Sequence, residues 1–376
     1  TVNVRVSSEG NYDGYVTGTE KLTITARPIT ITGDGWESAQ PYTGNEYQKT
    51  GYTVEEANAE NTRGLVTGQT VSTSYEIKGT NAGTYTGAFG ETFEIKTAGG
   101  VLGIGAEDVT ANYTVTKTPG SLTITKAEIA QYVTLTPADV TEVYDGKAHA
   151  AGRATAEDTK GNDLKIEYQK ADGSWTEDPT EIKATNVSDS TTVNVRVSSE
   201  GNYKGYVTGT EKLTITKKAV TLTSADASKV YDGKALEKKE VKAEGFVEGE
   251  GATYDKFASQ TEVGSCKNTF EYTLEANTKA GNYEITSSYG TLTVTAQSID
   301  PENPDNLGIT IDKPSDHVYD GKDHKWVPEV KDKDGKELKA GTDYTVSYST
   351  ENFKDVQEIT VTITGEGNYA GTVTKK

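Results

Sequence analysis

Apolar and polar residues alternate in short runs along most of the chain. Three runs keep this alternation over five residues, namely Val2/Val4/Val6, Val193/Val195/Val197 and Ile359/Val361/Ile363. A period of two is typical of a β-strand with one buried face. Similar pairs close the segments at Leu22/Ile24, Leu122/Ile124, Leu213/Ile215 and Leu292/Val294, and open them at Ile29/Ile31, Val133/Leu135, Val220/Leu222 and Ile309/Ile311. No segment sustains a helical period, although residues 54–61 are compatible with one helical turn. We therefore predict an all-β chain.

A Tyr-Asp-Gly-Lys motif punctuates these runs. It recurs at intervals of roughly 90 to 100 residues, which indicates a tandem array of one small unit. Asp-Gly between strands predicts a two-residue hairpin with positive φ at both central positions. We expect the motif to be architectural; the alternative is a repeated, exposed Tyr-Asp ligand patch. The repeat-defining residues are Tyr42 (in the variant Tyr-Thr-Gly-Asn), Tyr144, Asp145, Gly146, Tyr231, Asp232, Gly233, Tyr319, Asp320 and Gly321.

A second motif, Gly-Asn-Tyr or Ala-Asn-Tyr, recurs in step with the first. Its asparagines are Asn11, Asn112, Asn202, Asn282 and Asn368. Residues 1–25 and 192–216 are identical except for Asp13 and Lys204, which indicates duplication. Two repeat types, A and B, alternate. The predicted domains are a C-terminal remnant of a repeat (1–25), type A repeats at 26–126 and 218–296, and type B repeats at 127–217 and 297–376, the last lacking its final strand.

The size of each repeat and its number of strands favour small immunoglobulin-like β-sandwiches, each with its own core. A β-grasp-like unit is the alternative, and one helix per repeat would decide for it. The linkers are short, so we expect an elongated, monomeric rod. An unpaired edge in the last repeat is an alternative site for recruiting a strand from another molecule.

Charge and composition narrow the classes of partner. The formal net charge of −19 disfavours nucleic acid and anionic lipid as partners. No apolar segment is long enough to cross a bilayer, so no membrane insertion is expected of this segment. The single cysteine, Cys266, excludes an intramolecular disulfide framework. No catalytic motif is recognisable, and we predict no enzymatic activity and no cofactor.

A few residues are weak candidates for binding. His317 and His324 flank one Asp-Gly turn and become cross-strand neighbours if that turn closes a hairpin, which suggests a metal or pH-sensitive pair. Calcium at the linker carboxylates is a further possibility, and aromatic platforms for sugar rings are another. The linker candidates are Asp300, Glu302 and Asp305, and the aromatic ones are Trp36, Trp175 and Trp326.

Three features of the chain recur together: the Tyr-Asp-Gly-Lys turns, the Gly-Asn-Tyr motifs and closing runs such as Gly290-Thr291-Leu292-Thr293-Val294-Thr295. In these features the chain resembles the MBG (mostly bacterial glycine-rich) and YDG-type repeats of bacterial surface proteins. The resemblance implies an extracellular, cell-surface or secreted location and a non-catalytic stalk that presents a binding region. The alternative is that the repeats themselves bind a host glycan or host protein through exposed tyrosine and tryptophan.

Overall fold

The structure, a computed structural model, describes residues 1–58, 60, 62–99 and 105–376. Strands hold 47% of the chain and helical segments 4%, which confirms the all-β prediction. The helical segments are single 3₁₀ turns, at Thr110–Asn112, Ile129–Gln131, Pro179–Glu181, Val187–Asp189 and Ala280–Asn282. The described residues contain no α-helix of the kind that the β-grasp alternative requires. The all-β architecture agrees with the predicted tandem immunoglobulin-like β-sandwich units. The predicted helical turn at 54–61 lies partly outside these residues.

No helix within the described ranges is long and apolar enough to span a membrane.

The chain divides into two compact units. Unit 1 comprises Thr1–Asp139, Ala151–Glu181 and Thr192–Glu211, and unit 2 comprises Val140–Ala150, Ile182–Thr191 and Lys212–Lys376. The division runs through the predicted repeat at 127–217, and two strands, Thr191–Ser198 and Val207–Thr216, contribute to both units. The four repeat boundaries therefore stay predictions from the sequence.

Unit 1 begins with a hairpin and continues as small sheets. Its strands are Val2–Ser7, Tyr15–Glu20, Arg27–Gly33, Gln40–Pro41, Tyr47–Lys49, Tyr52–Val54, Gln69–Gly79, Gly83–Thr86, Ala88–Thr97, Tyr113–Thr118, Ser121–Thr125, Ala127–Glu128, Val133–Thr136, Thr155–Asp158, Lys165–Gln169, Trp175–Thr176 and Tyr203–Lys204, with most of Thr191–Ser198 and the first half of Val207–Thr216.

Unit 2 contains the remaining strands. They are Val140–Val143, His149–Ala150, Lys183–Ala184, Lys218–Ser224, Ala227–Val230, Val241–Glu244, Ala252–Asp255, Gly264–Lys267, Glu271–Leu274, Tyr283–Ser288, Thr291–Thr295, Gln297–Ser298, Thr310–Ile311, Val330–Lys331, Tyr344–Tyr348, Val361–Gly365, Tyr369–Ala370 and Thr372–Lys375. Every predicted closing pair lies in a strand except Leu22/Ile24, because the second strand of the first hairpin ends at Glu20.

Strand order repeats between the two predicted type A segments. In the first, Arg27–Gly33 pairs in parallel with Tyr113–Thr118 and antiparallel with Tyr52–Val54. In the second, the equivalent strand Lys218–Ser224 pairs in parallel with Tyr283–Ser288 and antiparallel with Val241–Glu244. The closing strands Ser121–Thr125 and Thr291–Thr295 likewise each pair with one parallel and one antiparallel neighbour. The same sequence pattern thus gives the same local topology twice.

The predicted type B segments also match each other locally. Lys165–Gln169 pairs antiparallel with Thr191–Ser198, and Tyr344–Tyr348 pairs antiparallel with Val361–Gly365. The inward-facing residues of these strands are apolar, as the alternation predicts; Val193, Val195 and Val197 are all buried.

Buried clusters cross two of the predicted repeat boundaries. In unit 1, one cluster joins Tyr42, Ile77 and Leu122 to Val133 and Tyr203. In unit 2, another joins Tyr144, Leu213 and Ile215 to Val220 and Tyr283. Neighbouring predicted repeats therefore share continuous interiors at these places, which the prediction of separate cores did not anticipate. Four of these residues, Tyr42, Tyr144, Tyr203 and Tyr283, belong to the two recurring motifs.

Candidate functional site

The Tyr-Asp-Gly-Lys turn is held by its own aspartate. The Asp145 carboxylate accepts a hydrogen bond from the Lys147 amide at 2.9 Å, and Asp232 and Asp320 do the same two residues on. Only the glycine adopts positive φ, at 79° for Gly146. The predicted hairpin turn with two positive φ angles is therefore wrong. The reason is that the carboxylate offers the backbone a local acceptor, so the turn closes as an Asx-turn instead.

In three of the four turns, the tyrosine that opens the turn is anchored to the closing strand of its own repeat. The Tyr42 amide donates to the Thr125 carbonyl at 2.9 Å. The Tyr144 amide makes the same bond to Thr216, and the Tyr231 amide to Thr295. Tyr42 and Tyr144 are buried, and Tyr231 is half-buried.

Each of these tyrosines meets the tyrosine of a Gly-Asn-Tyr motif from the following predicted repeat. The ring centroids of Tyr42 and Tyr203 lie 5.6 Å apart at an interplanar angle of 82°. The equivalent contacts, Tyr144 with Tyr283 and Tyr231 with Tyr369, have almost the same geometry, 5.4 Å and 85°, and 5.7 Å and 83°. We call these contacts joint 1, joint 2 and joint 3. Edge-to-face packing of this kind fixes ring orientation as well as burying apolar surface.

The asparagine before the second tyrosine holds a loop of the preceding repeat. In joint 1, Asn202 Oδ1 accepts from the Ala82 amide at 2.7 Å, and its Nδ2 donates to Asn81 Oδ1 at 3.0 Å. The Asn202 side chain is buried, so these bonds satisfy polar groups that water does not reach.

The other two joints repeat this arrangement. Asn282 Oδ1 accepts from the Val187 amide at 3.1 Å, and its Nδ2 donates to Asn186 at 3.0 Å. Asn368 Oδ1 accepts from the Val263 amide at 2.9 Å, and its Nδ2 donates to the Glu262 carboxylate. The loop residue that accepts is an amide in two joints and a carboxylate in the third, but the geometry at the asparagine is unchanged.

The linker that passes through each joint is held on both sides. In joint 1, the Thr125 carbonyl binds Tyr42, and the Ala127 amide donates to the Asn202 carbonyl at 3.0 Å, which leaves only Lys126 between them. In joint 3 the Gln297 amide donates to the Asn368 carbonyl at 3.0 Å. In joint 2 the linker residue Lys218 pairs in parallel with Tyr283. A linker with one residue between two such backbone contacts has little torsional freedom.

Carboxylates complete joints 1 and 2. The Tyr203 hydroxyl donates to Asp158 Oδ1 at 2.6 Å, and Asn162 Nδ2 donates to both Tyr203 and Asp158. Burial of Asp158 favours its neutral form, but the hydrogen bonds from Tyr203 and Asn162 prevail and hold the pKa of this carboxyl below its usual range. Burial, together with the bond to Asp158, raises the pKa of Tyr203.

In joint 2 one carboxylate bridges both tyrosines. Glu250 accepts from the Tyr144 hydroxyl at 2.5 Å and from the Tyr283 hydroxyl at 2.8 Å. Burial and this carboxylate raise the pKa of Tyr283 to about 12. In joint 3, burial and the neighbouring Tyr231 raise the pKa of Tyr369 to about 12. All of these hydroxyls are neutral near pH 7. Those of Tyr144, Tyr203 and Tyr283 donate hydrogen bonds to carboxylates of another segment.

The fourth turn is unlike the other three. Tyr319 is 61% exposed. The two histidines beside it do meet, with stacked rings whose centroids are 4.4 Å apart, although residues 315–319 do not form the strand that the hairpin prediction implied. His324 Nε2 lies 2.8 Å from Asp320 Oδ1, as His149 Nε2 does from Asp145. Among the described residues, no group of three or more histidine, cysteine, aspartate or glutamate side chains is placed to hold a metal ion.

Of the linker carboxylates, that of Asp300 accepts a hydrogen bond from the local backbone. Asp300 accepts from the Glu302 amide at 3.0 Å, and the Asp305 amide donates to Asn303 at 2.9 Å. The structure therefore shows Asp300 and Asp305 engaged in the turns of the linker, and Glu302 exposed.

The three tryptophans are all partly buried. The Lys49 ammonium lies 4.7 Å from the Trp36 ring centroid, and the Arg196 guanidinium lies 4.0 Å from that of Trp175. Trp326 packs against a buried cluster, and its indole N–H donates to Asp312 at 3.0 Å. One face of Trp36 and one face of Trp175 are thus covered by cations of the same unit.

The sequence identified the two motifs but did not predict that they contact each other. Their joint recurrence in each repeat was the available signal, because residues that recur together in register often share one structural task. The loop residues Asn81, Asn186 and Glu262 and the carboxylates Asp158 and Glu250 carry no common motif, so nothing in the pattern singled them out as partners.

No protein-family model and no curated protein matches the chain. Among solved structures, extracellular domains 3–6 of protocadherin gammaB7 cover 93% of this chain and 97% of their own, at 8% identity and a TM-score of 0.28. Drosophila N-cadherin domains EC1–4 cover 93% and 97%, at 12% identity and a TM-score of 0.20. A complex of Dpr2 with DIP-Theta immunoglobulin domains covers 71% and 98%, at 8% identity and a TM-score of 0.24.

Proposed function

We propose that this chain is a non-catalytic spacer of an extracellular surface protein, whose joints hold successive β units in fixed orientation so that a binding region elsewhere is presented away from the surface. The observation that carries the proposal is that one arrangement occurs in all three joints. In each, a tyrosine pair and a hydrogen-bonded asparagine hold a linker of one residue. A spacer must resist bending, and bending at a joint breaks these contacts together.

The motif resemblance supports the same proposal from a second direction. Tyr-Asp-Gly-Lys and Gly-Asn-Tyr are the features shared with MBG and YDG-type repeats of bacterial surface proteins, and they are also the residues that build the joints. We extend the proposal accordingly to a bacterial cell-surface or secreted adhesin.

The experiment compares joint stiffness between matched variants. Two spin labels are placed on exposed positions on either side of joint 1, Ser72→Cys and Ala171→Cys, in a Cys266→Ser background, and their distance distribution is measured by pulsed electron paramagnetic resonance. We expect a single narrow distribution in the parent and a clearly broader one in Asn202→Ala, because the clamp on the Asn81 loop is lost. Asn11→Ala, at the duplicated and exposed position, is the control and should leave the distribution narrow.

A broad distribution in the parent would refute the spacer proposal, and an unchanged one in Asn202→Ala would refute the role of the clamp. Calorimetry of each variant verifies that unit 1 remains folded.

Direct glycan binding by the repeats is the competing function. The covered faces of Trp36 and Trp175 give it little support. Saturable binding on a glycan array, lost on Trp175→Ala or Trp326→Ala, would favour it over the spacer.

A further inference from the structure

The three joints differ in how well their side chains are covered. In joints 1 and 2 the paired tyrosines are at most 4% exposed. In joint 3, Tyr231 and Tyr369 are only half-buried, although the two rings keep the same edge-to-face geometry. The asparagines follow the same order, because Asn202 and Asn282 are 7% and 2% exposed and Asn368 is half-buried. Joint 3 is therefore the joint whose side-chain contacts are open to water.

A third aromatic ring supports the tyrosine pair in joints 1 and 2. In joint 1 the Tyr132 ring stacks on that of Tyr203, with centroids 5.7 Å apart and an interplanar angle of 21°. In joint 2 the Phe246 ring meets that of Tyr283 edge to face at 5.1 Å. Among the described residues, no third ring contacts the pair of joint 3. This pair therefore buries less apolar surface than the other two.

The missing ring is explained by one position of the sequence. Val133 and Ile309 are corresponding buried residues of the opening runs in the two predicted type B repeats. The residue before them is Tyr132 in the earlier repeat and Gly308 in the last one. Glycine has no side chain that could cover Tyr369 as Tyr132 covers its counterpart in joint 1.

One polar side chain connects both tyrosine hydroxyls in joints 1 and 2. In joint 1, Asn162 Nδ2 donates to the Tyr42 hydroxyl at 3.2 Å and to the Tyr203 hydroxyl at 3.0 Å. Its Oδ1 accepts from Asn202 at 2.6 Å, which connects the clamp to the rings. In joint 2, Glu250 accepts from both hydroxyls. Hydrogen bonds that share a partner in a poorly hydrated place strengthen one another, so these bridges hold the rings as a unit.

Joint 3 lacks this bridge. Asp158 and Asp332 open corresponding turns, and each accepts from the amide four residues on, which is that of Asn162 in the first turn and that of Lys336 in the second. Lys336 is exposed. In the part of the chain that the structure describes, no side chain bonds to both hydroxyls of joint 3, and neither hydroxyl bonds to a carboxylate.

We propose that joint 3 is a hinge, at which the predicted repeat 297–376 moves relative to the predicted repeat 218–296, whereas joints 1 and 2 hold their neighbours in one orientation. The backbone bonds on either side of the linker, at Thr295 and Gln297, keep the two repeats attached while they rotate. Segments with few buried apolar contacts and exposed hydrogen bonds open at low cost, and hinges need only a few such residues. The inference refines the proposed spacer function and rests on it.

Distance distributions between two spin labels compare the joints, measured by pulsed electron paramagnetic resonance in the Cys266→Ser background. The pair across joint 3 is Thr253→Cys and Thr345→Cys, both at exposed positions on strands. The pair across joint 1 is Ser72→Cys and Ala171→Cys. We expect a broader distribution across joint 3 than across joint 1. Thr345 lies on a strand and Ala171 in a turn, so label motion alone would give the opposite order.

Two reciprocal substitutions test the missing bridge as the cause. Lys336→Asn supplies joint 3 with the amide that joint 1 has, and it should narrow the joint 3 distribution. Asn162→Lys removes the bridge of joint 1 and should broaden the joint 1 distribution. Lys333→Asn is the matched control, because it makes the same change at another exposed lysine of the same turn and should leave joint 3 broad. Calorimetry of each variant verifies that it remains folded.

The possible results separate the hinge from the spacer function. A parent distribution across joint 3 as narrow as that across joint 1 would overturn the hinge and leave the spacer function standing. A joint 3 distribution that Lys336→Asn does not narrow, or that Lys333→Asn narrows equally, would also overturn the proposal, since the missing bridge would not be the cause. If the parent is broad across both joints, the hinge fails together with the spacer function.

Discussion

Residues 1–25 and 192–216 place one sequence in two environments. They differ only at Asp13 and Lys204, yet Val4 is 40% exposed where Val195 is fully buried, and Tyr12 is 80% exposed where Tyr203 is 1% exposed. Both copies form an antiparallel strand at their start, Val2–Ser7 and Thr191–Ser198. Only the second copy forms a strand at Leu-Thr-Ile-Thr. The comparison teaches that alternation specifies which residues share a face, whereas burial requires the strands that cover that face.

The largest expected effect comes from the closing leucine. Leu213→Ala should lower the free energy of unfolding by about 2–5 kcal/mol, because it leaves a cavity among buried neighbours. Leu22→Ala, at the duplicated position, should change it by less than about 0.5 kcal/mol. Calorimetry of the two variants measures this difference, and equal effects would show that residues 1–25 are buried after all.

The tyrosine of joint 1 gives the next effect. Tyr203→Phe removes the hydroxyl that donates to Asp158 and should cost about 1–3 kcal/mol, since the half-buried carboxylate loses a partner. Tyr12→Phe should leave the free energy of unfolding unchanged. If chemical denaturation shows no loss for Tyr203→Phe, the hydrogen bond contributes nothing to the joint.

A buried carboxyl group in the second copy should make stability depend on pH, whereas its exposed counterpart in the first copy should not. Glu211 is 1% exposed, and burial raises its pKa. A carboxyl group whose pKa is raised by folding contributes stability at pH values below its pKa in the unfolded chain, about 4.3. This stability is lost as the pH rises through the pKa of the group in the folded chain. Relative to the parent, Glu211→Gln should therefore gain stability between pH 4 and pH 7, as followed by thermal melting. Glu20→Gln, on the exposed hairpin, should show no such trend, and a trend in both variants would remove the distinction.

The smallest expected effect concerns the one position at which the two copies differ in sequence. Lys204 forms an exposed ion pair with Glu128 at 3.0 Å, so Lys204→Asp should cost about 1 kcal/mol or less. The variant makes the two copies identical in sequence. Hydrogen exchange should still protect Val195 and Leu213, and loss of that protection would mean that the substitution, rather than the surrounding strands, separates the two environments.

The tyrosines of the four turns also show that the same local sequence can be buried or exposed. Tyr42, Tyr144 and Tyr231 lie in matching motifs and meet matching partners, whereas Tyr319 lies in the same motif and is exposed. The motif sets the turn through its aspartate and glycine, but the ring is buried only where an Asn-Tyr of a following segment reaches it.

The sequence by itself determined the strand-forming runs, the all-β class, the recurrence of two motifs and the positive φ of the turn glycines, because these depend on neighbours a few residues apart. The tertiary structure alone decided which copy of a repeated sequence is buried and which residues clamp Asn202, Asn282 and Asn368. It also decided that Tyr319 is exposed where Tyr42 and Tyr144, in matching turns, are buried. Those outcomes depend on contacts between residues distant in sequence, and alternation specifies the face of a strand without specifying what packs against it.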